Sequence, residues 1–337
     1  MSTTQIHTSL RFDVPGKQRG HLAIPYSHNL GGWANLMVPA CVIANGSGPT
    51  VLLMAGNHGD EYPGQVAILK LWRELQPADV TGRLILIPTL SPPAAKAGTR
   101  LSPLDGRNFN RCFPGDPLGT PSEMLAHFLS TVLFPIADIV IDLHTGGRSM
   151  NFVPCAHMHL VAAGAQRDAM ILATEAFLTD FAFLYTDIAG TGLLPAEAER
   201  QGKIVITTEL GGSEAVLAGI HRLCQKGLRN VLCHCGVLRG APEPRQSPAR
   251  WVQALDRDDY RFAPESGLYE NCVELGEDVR PGDILGQVHS LEQPDRAPIP
   301  VTAHAAGVLI ANRAPSLVAQ GDCVACLAHD TDPRRLP

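Results

Sequence analysis

The run Val51-Leu52-Leu53-Met54-Ala55, followed by Gly56-Asn57-His58-Gly59-Asp60-Glu61-Tyr62, decides how the rest of the chain is read. Five consecutive apolar residues make a short strand buried on both faces, and the polar, turn-prone Gly-Asn-His-Gly-Asp does not prolong it. From Tyr62 to Leu75 the apolar residues Val66, Leu69 and Leu75 recur at helical spacing. His58 and Glu61 therefore stand where a core strand ends and a helix begins. In open α/β sheets, ligands bind beyond the carboxyl ends of the strands. An imidazole and a carboxylate this close in sequence can converge there on one metal ion. Catalytic zinc typically takes three protein ligands and leaves a fourth position for water. His58 and Glu61 alone would equally suit a surface turn, so the metal reading needs a ligand from a second strand end.

Ala137-Asp138-Ile139-Val140-Ile141-Asp142-Leu143-His144-Thr145-Gly146-Gly147 supplies one, since its apolar run again ends in a histidine followed by glycines. Asp142 precedes His144 by two residues, on the same face of a regular strand, where it can accept the other ring N–H of a ligating histidine. It could equally be an unrelated polar residue at a strand end. The run Gly202-Lys203-Ile204-Val205-Ile206-Thr207-Thr208-Glu209-Leu210-Gly211-Gly212 ends likewise in a polar cluster. Glu209 is the candidate general base beside the metal.

Outward from these strands, residues 10–14, 20–25, 37–43 and 82–88 read as strands, and residues 152–160 as extended. Helices are expected over about 121–134, 164–179 and 214–230. The alternation predicts an α/β fold whose mostly parallel sheet is flanked by helices, with a catalytic domain over residues 1–240. Residues 91–120 form a long irregular segment, a length that usually signals function or disorder. It carries Arg100, Arg107, Asn108, Asn110 and Arg111, which suit carboxylate or carbonyl recognition because guanidinium forks grip carboxylates in a bidentate way. Phe109 and Phe113 are expected to anchor it to the core. His157 and His159 read as packing or surface residues, and Cys233-His234-Cys235 as core packing.

Residues 239–250 read as a linker. Beyond them, residues 251–330 switch to short strands between Gly, Pro and Asp turns, which predicts a small all-β domain covering the active site. The stretch Leu275 to Asp283 resembles turns of biotinyl and lipoyl carrier domains, but no lysine follows Lys226 to be modified.

The 337 residues suffice for one large domain and one small one, and 45% apolar with 18% charged residues is ordinary for a soluble enzyme. A net charge of -6 gives no nucleic-acid footprint. No apolar run has the length of a membrane span, and no signal peptide is visible. Nine scattered cysteines fit a reducing cytoplasm better than a disulfide framework. A homo-oligomer is compatible with the sequence.

Gly-Asn-His58-Gly-Asp-Glu61, Asn110-Arg111-Cys-Phe-Pro-Gly, Asp142-Leu-His144 and Thr-Glu209-Leu-Gly-Gly, in this order, resemble the succinylglutamate desuccinylase/aspartoacylase family. The likeness covers most of the chain, from about Val42 into the C-terminal β region. It implies a catalytic domain similar to zinc carboxypeptidases, with one Zn2+ per chain held by His58, Glu61 and His144. It further implies Glu209 as general base and later acid, Arg100 polarising the scissile carbonyl, and Asn110 with Arg111 gripping the substrate carboxylate. The segment from Arg100 to Asn110 is slightly longer than in aspartoacylase, which makes Arg107 the rival of Arg100 and a further substrate-binding candidate. Pro25-Tyr26-Ser27, Ala97-Gly98-Thr99-Arg100 with Ser102-Pro103, and Gly267-Leu268-Tyr269-Glu270 extend the resemblance to the N2-acetyl-L-2,4-diaminobutyrate deacetylases of ectoine breakdown.

The implied substrate is therefore a small N-acyl amino acid, its acyl group acetyl. A deacylase acting on another N-acyl amino acid and a zinc carboxypeptidase are the alternatives. A non-catalytic binding protein is a third, opposed by the completeness of the set His58, Glu61, His144 and Glu209. A cationic diaminobutyrate side chain would need an acidic partner, for which Asp105, Asp187 and Glu214 are candidates.

Overall fold

A computed structural model describes residues 4–186, 188 and 190–337. The first part of the chain runs β1 (Gly16–Pro25), β2 (Asn35–Asn45), β3 (Thr50–Ala55), α1 (Tyr62–Glu74), β4 (Gly82–Ile87), α2 (Pro92–Ala97), α3 (Pro121–Phe128) and α4 (Phe134–Ile136). It continues with β5 (Ile139–His144), β6 (Met150–Phe152), β7 (Cys155–His159), α5 (Ala165–Glu175), β8 (Phe181–Tyr185), α6 (Leu194–Arg200), β9 (Ile204–Glu209), α7 (Ala218–His234) and β10 (Arg250–Ala254). β1 to β5 and β7 to β10 form one mixed sheet in the order β1-β2-β4-β3-β5-β9-β7-β8-β10. At its centre β4, β3, β5 and β9 are mutually parallel, so the ends of β3, β5 and β9 share one edge.

The continuous apolar runs are explained by burial on both faces. Leu52, Met54, Ile85 and Val140 pack on one side with Phe128, Leu133 and Phe134. Val51, Leu53, Leu84 and Ile141 pack on the other with Ile68 and Leu71 of α1 and Leu228 and Val231 of α7. Cys233 and Cys235, at the end of α7, pack against this second core.

The remaining strands are β11 (Tyr260–Phe262), β12 (Gly267–Asn271), β13 (Asp278–Val279), β14 (Ile284–His289), β15 (Ile299–Thr302), β16 (Gly307–Arg313), β17 (Leu317–Val318) and β18 (Cys323–Asp330). No α-helix interrupts them. They are not hung on a free linker: β10 pairs in parallel with β8 and antiparallel with β18, and β6 pairs with β16. The hydrogen-bonded sheet thus passes from the central layer into the C-terminal region.

Several elements differ from the sequence reading. Residues 10–14 form a turn whose Leu10 is buried in the core, not a strand. The long segment 91–120 holds α2 and a 3-10 turn at Phe109–Arg111, with buried Phe109 and Phe113 rings 5.3 Å apart edge to face. α7 begins at Ala218 instead of 214, because Ser213 and Glu214 adopt positive φ. β8 and α6 are additional elements.

Candidate active site

The chain leaves β3 through Gly56, which has φ +66°, and Gly59, where a Cβ would lie 2.0 Å from the Ala94 carbonyl carbon. That close approach lays the turn against the start of α2. Pro63 follows in the first turn of α1, where its missing N–H costs no helical hydrogen bond. Glu61 occupies the N-cap position but makes no side-chain capping bond. Its carboxylate turns to two histidines instead: Oε1 lies 2.7 Å from His58 Nδ1, and Oε2 lies 2.9 Å from His144 Nδ1. The Thr145 backbone N–H donates to the same Oε2 at 3.1 Å. All three side chains are buried, and their donor atoms lie within 4.8 Å of one another.

The outward ring nitrogens are also fixed. Asn108 Oδ1 accepts the Asn110 backbone N–H at 3.0 Å, so oxygen is the amide atom facing His58 Nε2 at 3.2 Å. His58 therefore donates from Nε2 and presents the lone pair of Nδ1 to a carboxylate oxygen. Two electron-rich atoms at that distance require a cation or a proton between them. Asp142 Oδ2 accepts from His144 Nε2 at 2.7 Å and from Asn57 Nδ2 at 3.0 Å. Such outer partners orient metal-ligating imidazoles. The donor set of two Nδ1 atoms and one carboxylate, oriented this way, fits Zn2+.

The electrostatics agree with a site built for positive charge. Burial lowers the His58 imidazole below its ordinary value despite Glu61. Burial would raise the Glu61 carboxyl, but His58 and His144 outweigh it and hold it well below the usual carboxylate range. Burial opposes charge on His144, yet Asp142 and Glu61 raise it well above the ordinary value. Glu209 behaves oppositely: burial, then the Glu61 charge, push it up to about 8. Its Oε2 is buried with no hydrogen-bond partner.

His58, His144, Glu209, Arg100, Asn110 and Arg111 all line one cavity of about 370 Å³. Arg100 Nη1 reaches His58 Nδ1 at 3.3 Å and Glu61 Oε1 at 3.6 Å. Asn110 Oδ1 accepts the Leu194 backbone N–H at 2.8 Å, so the amide has its N–H groups left to offer a ligand. Arg107 is not brought to the cavity; its guanidinium pairs with Glu123 at 2.8 Å. Neither Asp105 nor Glu214 lines it: Asp105 accepts the Ser122 N–H at the start of α3, and Glu214 pairs with Arg148 at 2.7 Å. Asp187 lies outside the described residues. His159 pairs with Glu199 at 2.8 Å, while His157 is buried and exchanges a 2.7 Å hydrogen bond with Thr207.

Nothing in the sequence marks Asn57 and Asn108 as orienting residues, or most of the cavity wall. Met150, Phe152, Phe183 and Tyr185 meet Tyr260, Phe262, Cys323 and Cys326 of the C-terminal strands around the cavity. A mostly apolar lining with a few convergent polar groups is the usual form of a small-molecule site. Among the described lining residues, Glu209 is the one carboxylate.

Residues 47–235 match the model of the succinylglutamate desuccinylase/aspartoacylase catalytic domain. The chain is similar to the N-alpha-acetyl-L-2,4-diaminobutyric acid deacetylase of Halomonas elongata, at 36% identity over 96% of this chain and 95% of the relative. Its fold is similar to the product-bound ectoine utilization protein EutE (DoeB) of Ruegeria pomeroyi, with TM-score 0.93 and 37% identity, covering 97% and 99% of the two chains. It is also similar to a succinylglutamate desuccinylase/aspartoacylase from Rhodobacter sphaeroides, with TM-score 0.92 and 41% identity, covering 98% and 100%. On that match and on the identity it shares with the deacetylase over nearly its whole length, the chain belongs to the succinylglutamate desuccinylase/aspartoacylase family.

Proposed function

We propose that this protein is a zinc-dependent amidohydrolase that removes the acetyl group from N2-acetyl-L-2,4-diaminobutyrate in ectoine breakdown. The observation that carries this reading is the convergence of His58, Glu61 and His144 on one point of the cavity that Glu209 also lines. The deacetylase likeness over nearly the whole chain supports the substrate.

His58 Nδ1, the Glu61 carboxylate and His144 Nδ1 would hold the ion. When bound, Zn2+ acidifies water and polarises a carbonyl as a Lewis acid. Glu209 takes a proton from the attacking water at its unpartnered Oε2 and returns it to the leaving amine nitrogen. Burial raises its proton affinity above that of an ordinary carboxylate, which favours taking the proton from water. Arg100 donates N–H groups to the oxygen that gains charge as the carbonyl is attacked. Asn110 and Arg111 hold the substrate carboxylate and so place the amide over Glu209. The rings of Tyr185, Tyr260 and Phe262 line the cavity and can receive a small cationic side chain through their faces.

The test is acetate or succinate release from N2-acetyl-L-2,4-diaminobutyrate, N-acetylaspartate and N-succinylglutamate by zinc-loaded protein. Preference for the first is expected. Preference for an anionic substrate would remove the diaminobutyrate assignment and keep the deacylase. Cleavage of peptides with free C-termini in place of all three would make the protein a carboxypeptidase.

A further inference from the structure

We propose that Asp259, His304 and His329 form a second binding site for a divalent transition-metal ion of the zinc class, in the C-terminal β region. Three separate segments meet there. Asp259 ends the 3-10 turn Arg257–Asp259 before β11, His304 lies in the connection from β15 to β16, and His329 lies near the end of β18. Their candidate donor atoms lie within 4.8 Å of one another.

The cluster is assembled in the same manner as the catalytic one. Its carboxylate is buried, with Asp259 at 4% exposure. One oxygen, Oδ2, is committed to the turn, accepting the Asp256 backbone N–H at 3.1 Å. The other, Oδ1, faces His329 Nε2 at 2.8 Å and His304 Nε2 at 3.5 Å. The two rings are perpendicular, with centroids 5.7 Å apart, and each turns its Nε2 toward that oxygen.

The tautomer of His329 is fixed by its second contact. Its Nδ1 lies 2.8 Å from the Ala306 carbonyl oxygen, which can only accept, so Nδ1 carries hydrogen. In a neutral ring Nε2 is then a lone pair aimed at a carboxylate oxygen. That is the relationship His58 has with Glu61, and a cation resolves it in the same way. A backbone carbonyl on the other ring nitrogen is also the usual outer support of a metal-ligating histidine. Two imidazole nitrogens and one carboxylate oxygen suit zinc and its neighbours rather than calcium or magnesium. Both histidine side chains are about 30% exposed, leaving a path for the ion and room for water as a further ligand.

Occupancy would act on the cavity through the chain itself. Asp259 is joined directly to Tyr260, and Tyr260 and Phe262 line the cavity on β11. β11 pairs along β18, the strand that carries His329. An ion bridging Asp259 to His329 would clamp the start of β11 to β18 and hold that wall in place.

The experiment titrates zinc chloride into metal-depleted full-length protein by calorimetry, with thermal unfolding followed at each equivalent. Wild type should bind two equivalents per chain, and both should raise the melting temperature. His304→Ala, at a solvent-facing residue, should bind one equivalent and show no response to a second, and His329→Ala should do the same. Glu61→Gln should lose the other event. A single event in wild type that Glu61→Gln abolishes and His304→Ala retains overturns the proposal, because Asp259 and His329 would then share only a proton. Two events in both histidine variants overturn it as well. Loss of the Glu61-dependent event alone would count against the catalytic centre and not against this one.

Discussion

His144 and Glu209 are register partners at the ends of the adjacent parallel strands β5 and β9. One hydrogen-bonded ladder therefore sets the spacing between a candidate metal ligand and the candidate base. The two side chains differ in what their surroundings favour: Asp142 and Glu61 favour positive charge at His144, and burial opposes negative charge on Glu209. Sites that push neighbouring titratable groups apart in this way are candidates for acid–base chemistry.

Glu209→Gln should lower kcat by about 10²–10⁴-fold, the usual contribution of a positioned acid–base group. The zinc content of the variant should equal that of wild type, as determined by elemental analysis. Loss of zinc would instead make Glu209 a ligand or a structural residue.

The same residue predicts a pH-dependent stability in chelated protein. Its carboxyl titrates near 8 when folded and near 4.5 unfolded. Folding therefore binds a proton between those values, and the stability this supplies is present below about 4.5 and lost as pH rises through 8. Wild type and Glu209→Gln should unfold alike at the acid end of this window, with wild type falling progressively behind toward the alkaline end. Urea midpoints measured across the range check this, and a constant difference would contradict it. Zinc should shrink the gap, since a nearby cation favours the carboxylate.

Asp142→Asn keeps an oxygen beside His144 Nε2 but removes the charge that makes the ring a stronger ligand. Zinc affinity should fall by about 10–100-fold, measured by competition with a fluorescent chelator. An unchanged affinity would reduce the 2.7 Å contact to packing.

Arg100 and Arg107 can be separated by kinetics. Arg100→Ala should cost about 10²–10³-fold in kcat, as removal of one donor to a developing oxyanion does. Arg107→Ala breaks a half-exposed ion pair with Glu123, worth about 0–1 kcal/mol, and should leave kcat near wild type. The reverse pattern would transfer the carbonyl-polarising task to Arg107.

The parts of the site that were legible in sequence lie at strand ends. Val51 to Ala55, Ile139 to Ile141 and Ile204 to Ile206 are apolar because both faces are covered, so the polar residues that follow mark the ends of the strands. What was illegible depends on tertiary pairing. Asn108 becomes an outer partner of His58 only because the 91–120 segment folds back over the β3 turn, held by Phe109 and Phe113. Tyr260 and Phe262 reach the cavity because β10 and β18 continue the central sheet, a connection that the Pro- and Arg-rich stretch 239–250 conceals. α6 is seven residues long, too short for periodicity to reveal, whereas the apolar run Phe181–Tyr185 of β8 was legible as a strand.

The most direct measurement is a zinc-edge anomalous difference map from crystals of metal-loaded protein. The account predicts a peak about 2.0–2.2 Å from His58 Nδ1, a Glu61 oxygen and His144 Nδ1, on the side of the cavity that Glu209 lines. Fully loaded, hydrolytically active crystals without a peak between those three residues would contradict it.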